Sequence, residues 1–541
     1  MRKHLRNIIF YIFTGFILGF CYVAGYRLET YNTINFVDKS FYLHWLLTSA
    51  ICSLLTYIIW KLLKLSSTLN TEHHPRLCKC INAVDINLPI WGYMIIILLC
   101  WLPTWLSIFP GAFTYDAYDE WLQISTGNIT AHHPVLHVLL LGGLTEGIHQ
   151  ITGSYNLGIA IYTLIQMLFV SWVFGYTLQF LRRQKVCGSF RLFALIFYCF
   201  SPVIALFAIC STKDVIFTAG ALLFMLLIIQ LLQNPQDFFK TPKAIILFIL
   251  SALITMIFRN NGLYIAVLTL IMVGVLLKRS IKSYLKLTAS ILVIYLCLNI
   301  NLNHFLRVTP GGVEEMLSVP LQQLARVHYY EKDSFSTDDL ELLYSILPEK
   351  NLNSYRVSVS DFVKCGFNRE NFQNHKTEFV RLWIRTGINH PFTYINSFLL
   401  GTVDFWYPHA IMDGYRDVYN RSSYYDYQVS KPGTEVVLLP ALHNLYEYIS
   451  WDKEAQTHPG IFLLLSPGWY FVMFFIVFMY LLWQKYYRKI LPLMVIVWNM
   501  FTVLLGPIAL VRYVLILFYA FPLIFFFLKK DSSFINASPY S

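Results

Sequence analysis

Residues 213–233 read KDVIFTAGALLFMLLIIQLLQ. After Lys213 and Asp214 the stretch carries no charge, and it has the roughly 20 residues that a helix needs to cross a bilayer. A soluble protein has little use for such a run. This chain has many, and 57% of its 541 residues are hydrophobic while only 13% are charged. Soluble domains carry about 25% charged residues. The sequence therefore predicts an all-α polytopic membrane protein.

Working outward, the spans are expected at about 8–25, 44–64, 88–108, 157–180, 190–210, 216–233, 243–258, 261–278, 286–304, 462–484, 490–508 and 511–528. This makes about twelve transmembrane helices. The stretch 135–151 is broken by Gly142, Gly143, Glu146 and His149. It is short and polar for a span, and reads as an interfacial or re-entrant helix. The N-terminus, Met-Arg-Lys-His-Leu-Arg before a long apolar run without a small-residue cleavage site, reads as a retained signal anchor.

The basic residues orient the chain. Arg76, Lys79, Arg182, Arg183, Lys185, Lys240, Lys243, Lys278, Arg279, Lys485, Arg488, Lys489, Lys529 and Lys530 all fall at one set of helix ends if both termini are cytoplasmic. Segment 305–460 holds 14 Lys and Arg against 19 Asp and Glu, although the whole chain is at +11. The positive excess thus reports orientation in a cell membrane. No aromatic-interleaved basic patch points to nucleic acid. The expected organisation is two N-terminal helices and a cytoplasmic loop (1–87), a transmembrane core (88–304), a mostly helical extracytoplasmic domain (305–460) and C-terminal transmembrane helices (461–541). Within that domain, 376–403 has helical spacing suited to lying along the membrane.

Most of the ten cysteines sit in apolar runs, and only Cys365 lies in the outer segment, so no disulfide framework is expected. Cys78 and Cys80 with His73 and His74 fit no standard zinc spacing. Asn128 and Asn420 head chance-level glycosylation sequons. No internal repeat of the transporter kind is visible.

The informative residues are ionisable groups at membrane depth, which are costly unless they face a cavity or a partner. Asp116, Asp119 and Glu120 share the outer loop 109–133, which continues to His132-His133-Pro134. Lys213 and Asp214 stand at the outer mouth of one span, Arg259 and Asn260 at that of another. Arg512 lies just inside the outer end of the last. Each also has a plain structural reading. The three acids could solvate a loop. Asp214 could pair with Lys213 or favour a helix N-terminus. The arginines could snorkel, and the histidines could be interface residues before a helix-starting proline. In the functional reading, Arg groups bind the phosphate of a lipid-linked substrate and a carboxylate serves as general base.

This layout resembles the GT-C superfamily of glycosyltransferases, polytopic enzymes that use polyprenyl-phosphate-linked sugars. Asp116, in Thr-Tyr-Asp-Ala-Tyr-Asp-Glu, takes the place of the acid in the first large outer loop. Asp214, in Lys-Asp-Val-Ile-Phe, takes that of the later acidic site, and His132-His133-Pro134 is similar to an element that opens the next helix in some members. The stretches Val-Pro-Leu-Gln-Gln-Leu-Ala-Arg (319–326), Ser360-Asp361-Phe-Val-Lys364 and Trp406-Tyr407-Pro408 resemble a family of uncharacterised bacterial multi-spanning membrane proteins. The chain departs from the superfamily in two ways. Its second acidic site is one Asp beside a Lys and not an acid pair, and its soluble domain lies between spans.

The resemblance implies a GT-C-like arrangement. It also implies a metal-independent, inverting sugar transfer from a polyprenyl-phosphate donor to a cell-envelope glycan, lipid or protein. Asp116 and Asp214 would be catalytic. Asp119, Glu120, His132, His133, Lys213, Arg259, Asn260 and Arg512 would bind substrate. No cofactor is expected. The alternatives are a transporter or flippase of lipid-linked sugars, a glycan polymerase or ligase using a diphosphate donor, and a scaffold that displays the 305–460 domain.

Overall fold

The computed structural model describes residues 2–68, 86–411 and 432–529. The pair Cys78 and Cys80, the histidines His73 and His74, the sequon at Asn420, and Arg76, Lys79 and Lys530 lie outside the described residues. The described chain is helical, with isolated β-bridges and no strand.

The main helices are α1 (Arg2–Tyr31), α2 (Lys39–Thr68), α3 (Ile90–Ser107), α4 (Tyr115–Thr126), α5 (Val135–Thr152), α6 (Tyr155–Arg183), α7 (Gly188–Phe200), α8 (Pro202–Ala208) and α9 (Lys213–Gln233). They continue with α10 (Pro242–Ile257), α11 (Gly262–Leu276), α12 (Ile281–Phe305), α13 (Ser318–Glu331), α14 (Lys376–Asn389), α15 (Pro391–Leu400), α16 (Pro440–Trp451), α17 (Pro459–Leu465), α18 (Pro467–Trp483) and α19 (Tyr487–Val503).

Among the described residues, six helices are long and apolar enough to cross a membrane, or eight if two bent pairs each count as one span; α10 and α11 are shorter apolar helices. The apolar surface they leave exposed is extensive: Leu47, Ile51, Leu54 and Ile58 on α2 and Val293, Leu296 and Ile300 on α12 all face outward. Exposed apolar area of that extent suits lipid, not water. These helices suggest a membrane-embedded protein.

α9 is the axis, because it is apolar on every face and almost wholly buried. It packs against α6, α10 and α19, and against the helical turn Leu515–Tyr519. α3 packs on α6 and α7, and α5 lies between α4 and α6. α1 and α2 form a hairpin whose Trp60 stacks on Trp483 of α18 with centroids 5.2 Å apart. In segment 305–460 α13 is central and packs on α15. Its buried Arg326 donates to the Asn32 carbonyl at 2.9 Å and to the Tyr355 hydroxyl at 2.8 Å. Asn396 exchanges two hydrogen bonds with the Ile34 backbone. The α1–α2 turn is thereby fastened to segment 305–460.

Prolines shape two expected spans. α7 and α8 meet at 53° at Ser201-Pro202, and α17 and α18 at 69° at Ser466-Pro467. Proline has no N–H for the preceding turn and drives the residue before it out of the helical region. The expected helix 511–528 is not continuous. It runs as a 3-10 turn (Val511–Val514) and two short helices (Leu515–Tyr519 and Phe521–Phe526), with Pro522 in the first turn of the last.

The basic ends meet one another. Lys529 donates to the Gln184 carbonyl at 2.5 Å, Lys489 to the Phe527 carbonyl at 3.0 Å, and Gln184 to Gln233 at the end of α9 at 2.8 Å. The other end of α9, 21 residues away, begins with Lys213 and Asp214.

Candidate functional site

Two short loops set the site. Ala112 N–H donates to the Ile209 carbonyl at 3.0 Å and Ser211 N–H to the Ala112 carbonyl at 2.8 Å. Gly111 makes this approach possible: its φ is +134°, and a Cβ there would stand 2.4 Å from Thr163 Oγ1. From this clamp the chain enters α4 on one side and α9 on the other, so two helix N-termini open side by side. Thr114 caps α4, its hydroxyl accepting from Ala117 N–H. Asp116 and Asp214 each fall in the first turn of their helix, where the backbone N–H groups favour negative charge.

The acids and cations of the two turns converge. Lys213 Nζ donates to Asp116 Oδ2 at 2.7 Å. Arg512 Nη1 lies 3.2 Å from the same oxygen, and its Nε 3.7 Å from Asp214 Oδ2. Arg259 Nη1 is 3.2 Å from Asp214 Oδ1. The Asp214 carboxylate is 1% exposed, against 13% for Asp116 and 10% for Arg512. Arg512 also donates to the Tyr115 hydroxyl at 2.8 Å, and its guanidinium lies 5.3 Å from the ring centres of Tyr115 and Tyr513. Arg259 covers the Tyr513 ring at 4.6 Å and donates to its carbonyl at 3.3 Å. Charges buried at this depth persist only when paired.

A histidine joins this cluster to a second one. Lys213 Nζ also donates to His133 Nδ1 at 2.8 Å, and His133 Nε2 faces Asp119 Oδ2 at 3.0 Å. That pattern requires the proton of His133 on Nε2. Glu120, fully buried, pairs with Nδ1 of His137. His137 Nε2 meets the Tyr162 hydroxyl at 2.7 Å, and Tyr162 donates to Gln166 Oε1 at 3.0 Å. The Gln166 amide nitrogen donates to the Ala208 and Cys210 carbonyls, which fixes its orientation. Tyr162 has one proton and gives it to Gln166, so His137 Nε2 is the donor to Tyr162. The Glu120–His137 pair then holds a second proton between Nδ1 and the carboxylate. Gly142 permits the close contact of α4 and α5 behind it, since a Cβ there would be 2.7 Å from the Glu120 carbonyl.

The electrostatics follow the geometry. Burial acts to raise the Asp116 carboxyl, but Arg512 and Lys213 hold it well below the usual carboxylate range. The hydrogen bond from His133 lowers Asp119 against a smaller effect of burial. Among the described residues no three of His, Cys, Asp and Glu are grouped as metal ligands.

Of the ten residues singled out in the sequence, Asp116, Asp119, Glu120, His133, Lys213, Asp214, Arg259 and Arg512 form this one connected cluster. His132 and Asn260 make no ion pair with it, although the His132 ring packs edge-on against that of His133 with centroids 4.6 Å apart. Both are exposed, and Asn260 reaches the His132 carbonyl at 3.5 Å. Tyr115, His137, Tyr162, Gln166 and Tyr513 were missed. One signal was available: His137 follows His133 by four residues, one turn into a helix opened by Pro134. Beside the cluster lies a cavity of about 380 Å³ that His133 and Asn260 help to line.

A family model described as "Family of unknown function (DUF6020)" matches residues 121–537. The chain belongs to this family. The DUF6020 match takes in His132, His133, His137, Lys213, Asp214, Arg259, Asn260 and Arg512. It starts at the residue after Glu120, within α4, and leaves α1 and α2 outside. No curated protein and no solved structure matches the chain.

Proposed function

We propose that this DUF6020 protein is a membrane glycosyltransferase moving a sugar from a polyprenyl-phosphate-linked donor to a cell-envelope acceptor on the outer face. The proposal includes a GT-C-like arrangement of about twelve spans with both termini cytoplasmic. The observation that carries it is the convergence of Asp116, Lys213, Asp214, Arg259 and Arg512 at the mouth of α9. Ion pairs that merely support a helix end do not require three cations and two acids from four separate segments. Such a set suits groups that hold a phosphate and activate a hydroxyl.

The reaction would run as follows. The acceptor oxygen attacks the anomeric carbon and inverts it, and the bond from that carbon to the phosphate oxygen breaks. The polyprenyl phosphate leaves with the bonding electrons, and the acceptor proton passes to Asp116. Arg512, Lys213 and Arg259 neutralise the leaving phosphate, as preorganised charge does in many sites. Asp214 holds Arg259 and Arg512 in place.

Asp116 without substrate is a weak base, because two cations hold its proton affinity down. A donor phosphate would compete for Lys213 and Arg512, and each contact that it takes raises the basicity of Asp116. Donor binding would thereby switch on the base. The test is Asp116→Asn, compared with wild type for membrane level and for incorporation of labelled sugar into the envelope. The expected outcome is loss of incorporation per molecule of protein in the membrane, whatever the membrane level of the variant. Wild-type incorporation in the variant would refute the role of Asp116.

A further inference from the structure

α12 packs on the bundle only through its first half. Tyr284, Leu287 and Ile291 are buried, and no residue after them in the helix is. Its outer half stands off from α10 and α11, and the cavity of about 380 Å³ occupies the gap. The wall from α10 and α11 is apolar, with Met256, Ile257 and Leu263 among its residues. The α12 wall carries a polar ladder. Asn303 donates to Asn299 Oδ1 at 2.6 Å, and Asn299 to the Tyr295 hydroxyl at 3.1 Å. From Tyr295 to Asn303 the helix rises about 12 Å. The neighbouring faces of the same helix expose Val293, Leu296 and Ile300. Amides on an otherwise lipid-facing helix are costly unless they face a polar occupant. At its other side the cavity reaches Asn260 and His133, and His133 is hydrogen bonded to Lys213.

We infer that this cavity seats a lipid-linked sugar, with the first chain segments on Met256, Ile257 and Leu263 and the sugar hydroxyls on Asn260, Asn299 and Asn303. The inference rests on the glycosyltransferase reading for the identity of the ligand. The amphiphilic lining supports it directly: one wall fits a hydrocarbon chain, and the other offers amides, which both donate to and accept from hydroxyls. The open side along α12 gives the chain a way into the lipid. His133 links the seat to the cations that would take the phosphate.

The experiment uses the full chain in nanodiscs with two photoreactive probes, a polyprenyl phosphate and the same lipid bearing a hexose. Both should label the peptides around 131–136, 256–264 and 295–303. Leu263→Trp, which fills the cavity, should reduce both labels about tenfold. Asn299→Leu with Asn303→Leu should weaken the hexose probe roughly tenfold, from two lost hydrogen bonds, and leave the bare phosphate within about twofold. These asparagines lie on the unpacked half of α12, so an unchanged melting temperature serves as the folding control. Labelling spread over α2 and indifferent to Leu263→Trp would overturn the inference, as would equal weakening of both probes by the asparagine pair. Intact cavity labelling in a wild-type protein that transfers no sugar would instead remove the glycosyltransferase reading and leave the seat standing.

Discussion

Arg512 is the cation shared by both acids, which makes Arg512→Met the sharpest test of the cluster as a unit. The guanidinium is 10% exposed, and it contacts Asp116 at 3.2 Å and Asp214 at 3.7 Å. Removing one member of a buried ion pair costs about 3–5 kcal/mol. Here each acid keeps a second cation, Lys213 at 2.7 Å for Asp116 and Arg259 at 3.2 Å for Asp214. The low end applies, so the expected loss is about 3 kcal/mol, including the hydrogen bond to Tyr115. Asp116→Asn alone should cost a similar ~3 kcal/mol, because it leaves Lys213 and Arg512 facing too little negative charge. The double variant restores charge balance. Its cost should be about 4 kcal/mol and not the additive 6, a coupling of roughly 2 kcal/mol. SDS-driven unfolding of purified protein in mixed micelles reads all four corners of the cycle. Additivity within about 0.5 kcal/mol would show that Arg512 and Asp116 do not share a network, and the argument from convergence would fail.

Gly142→Leu forces atoms against the Glu120 carbonyl and Ile124, both 2.7 Å from a Cβ at that position; the expected cost is about 1–3 kcal/mol, with transfer lost because Glu120 and His137 separate. A melt at the wild-type temperature would contradict this. Trp60→Ala removes a fully buried ring stacked on Trp483 and should cost about 3–5 kcal/mol. The α1–α2 hairpin should loosen, read as faster maleimide labelling of the buried Cys21, while the cluster keeps its Arg512–Asp116 coupling. The pH dependence has a definite sign. The Asp116 carboxyl is held below its unfolded value of about 3.9, so its stabilisation is complete above that value and is lost only as pH falls through the folded one. The stability gap between wild type and Asp116→Asn should therefore stay constant from about pH 8 to 5 and close in stronger acid. A gap that shrinks between pH 8 and 6 would assign the pairing to another group.

Much of the site was legible because its residues are out of place by composition. Asp116, Asp214, Arg259 and Arg512 stand out in apolar surroundings, and the expected helices brought all four to one level. Lys213 was legible only as a neighbour of Asp214, yet it joins Asp116 to His133. His137, Tyr162 and Gln166 escaped because they sit in apolar helices, where such residues most often satisfy themselves locally. Only the packing of α5 on α4 and α6 turns them into a chain. The breaks at Pro202 and Pro467 were marked in the sequence by proline. The break before Leu515 was not, because Val511–Val514 is apolar apart from Arg512, and what stops the helix there is the turn that delivers Arg512 to the two acids.

The most direct test of the central claim is release of polyprenyl phosphate by the purified protein in nanodiscs supplied with polyprenyl-phosphate sugars and an envelope extract as acceptor. The account predicts release that depends on the acceptor, is abolished by Asp116→Asn, and occurs without a diphosphate donor. Release that persists undiminished in Asp116→Asn, or turnover only of diphosphate-linked glycans, would contradict it.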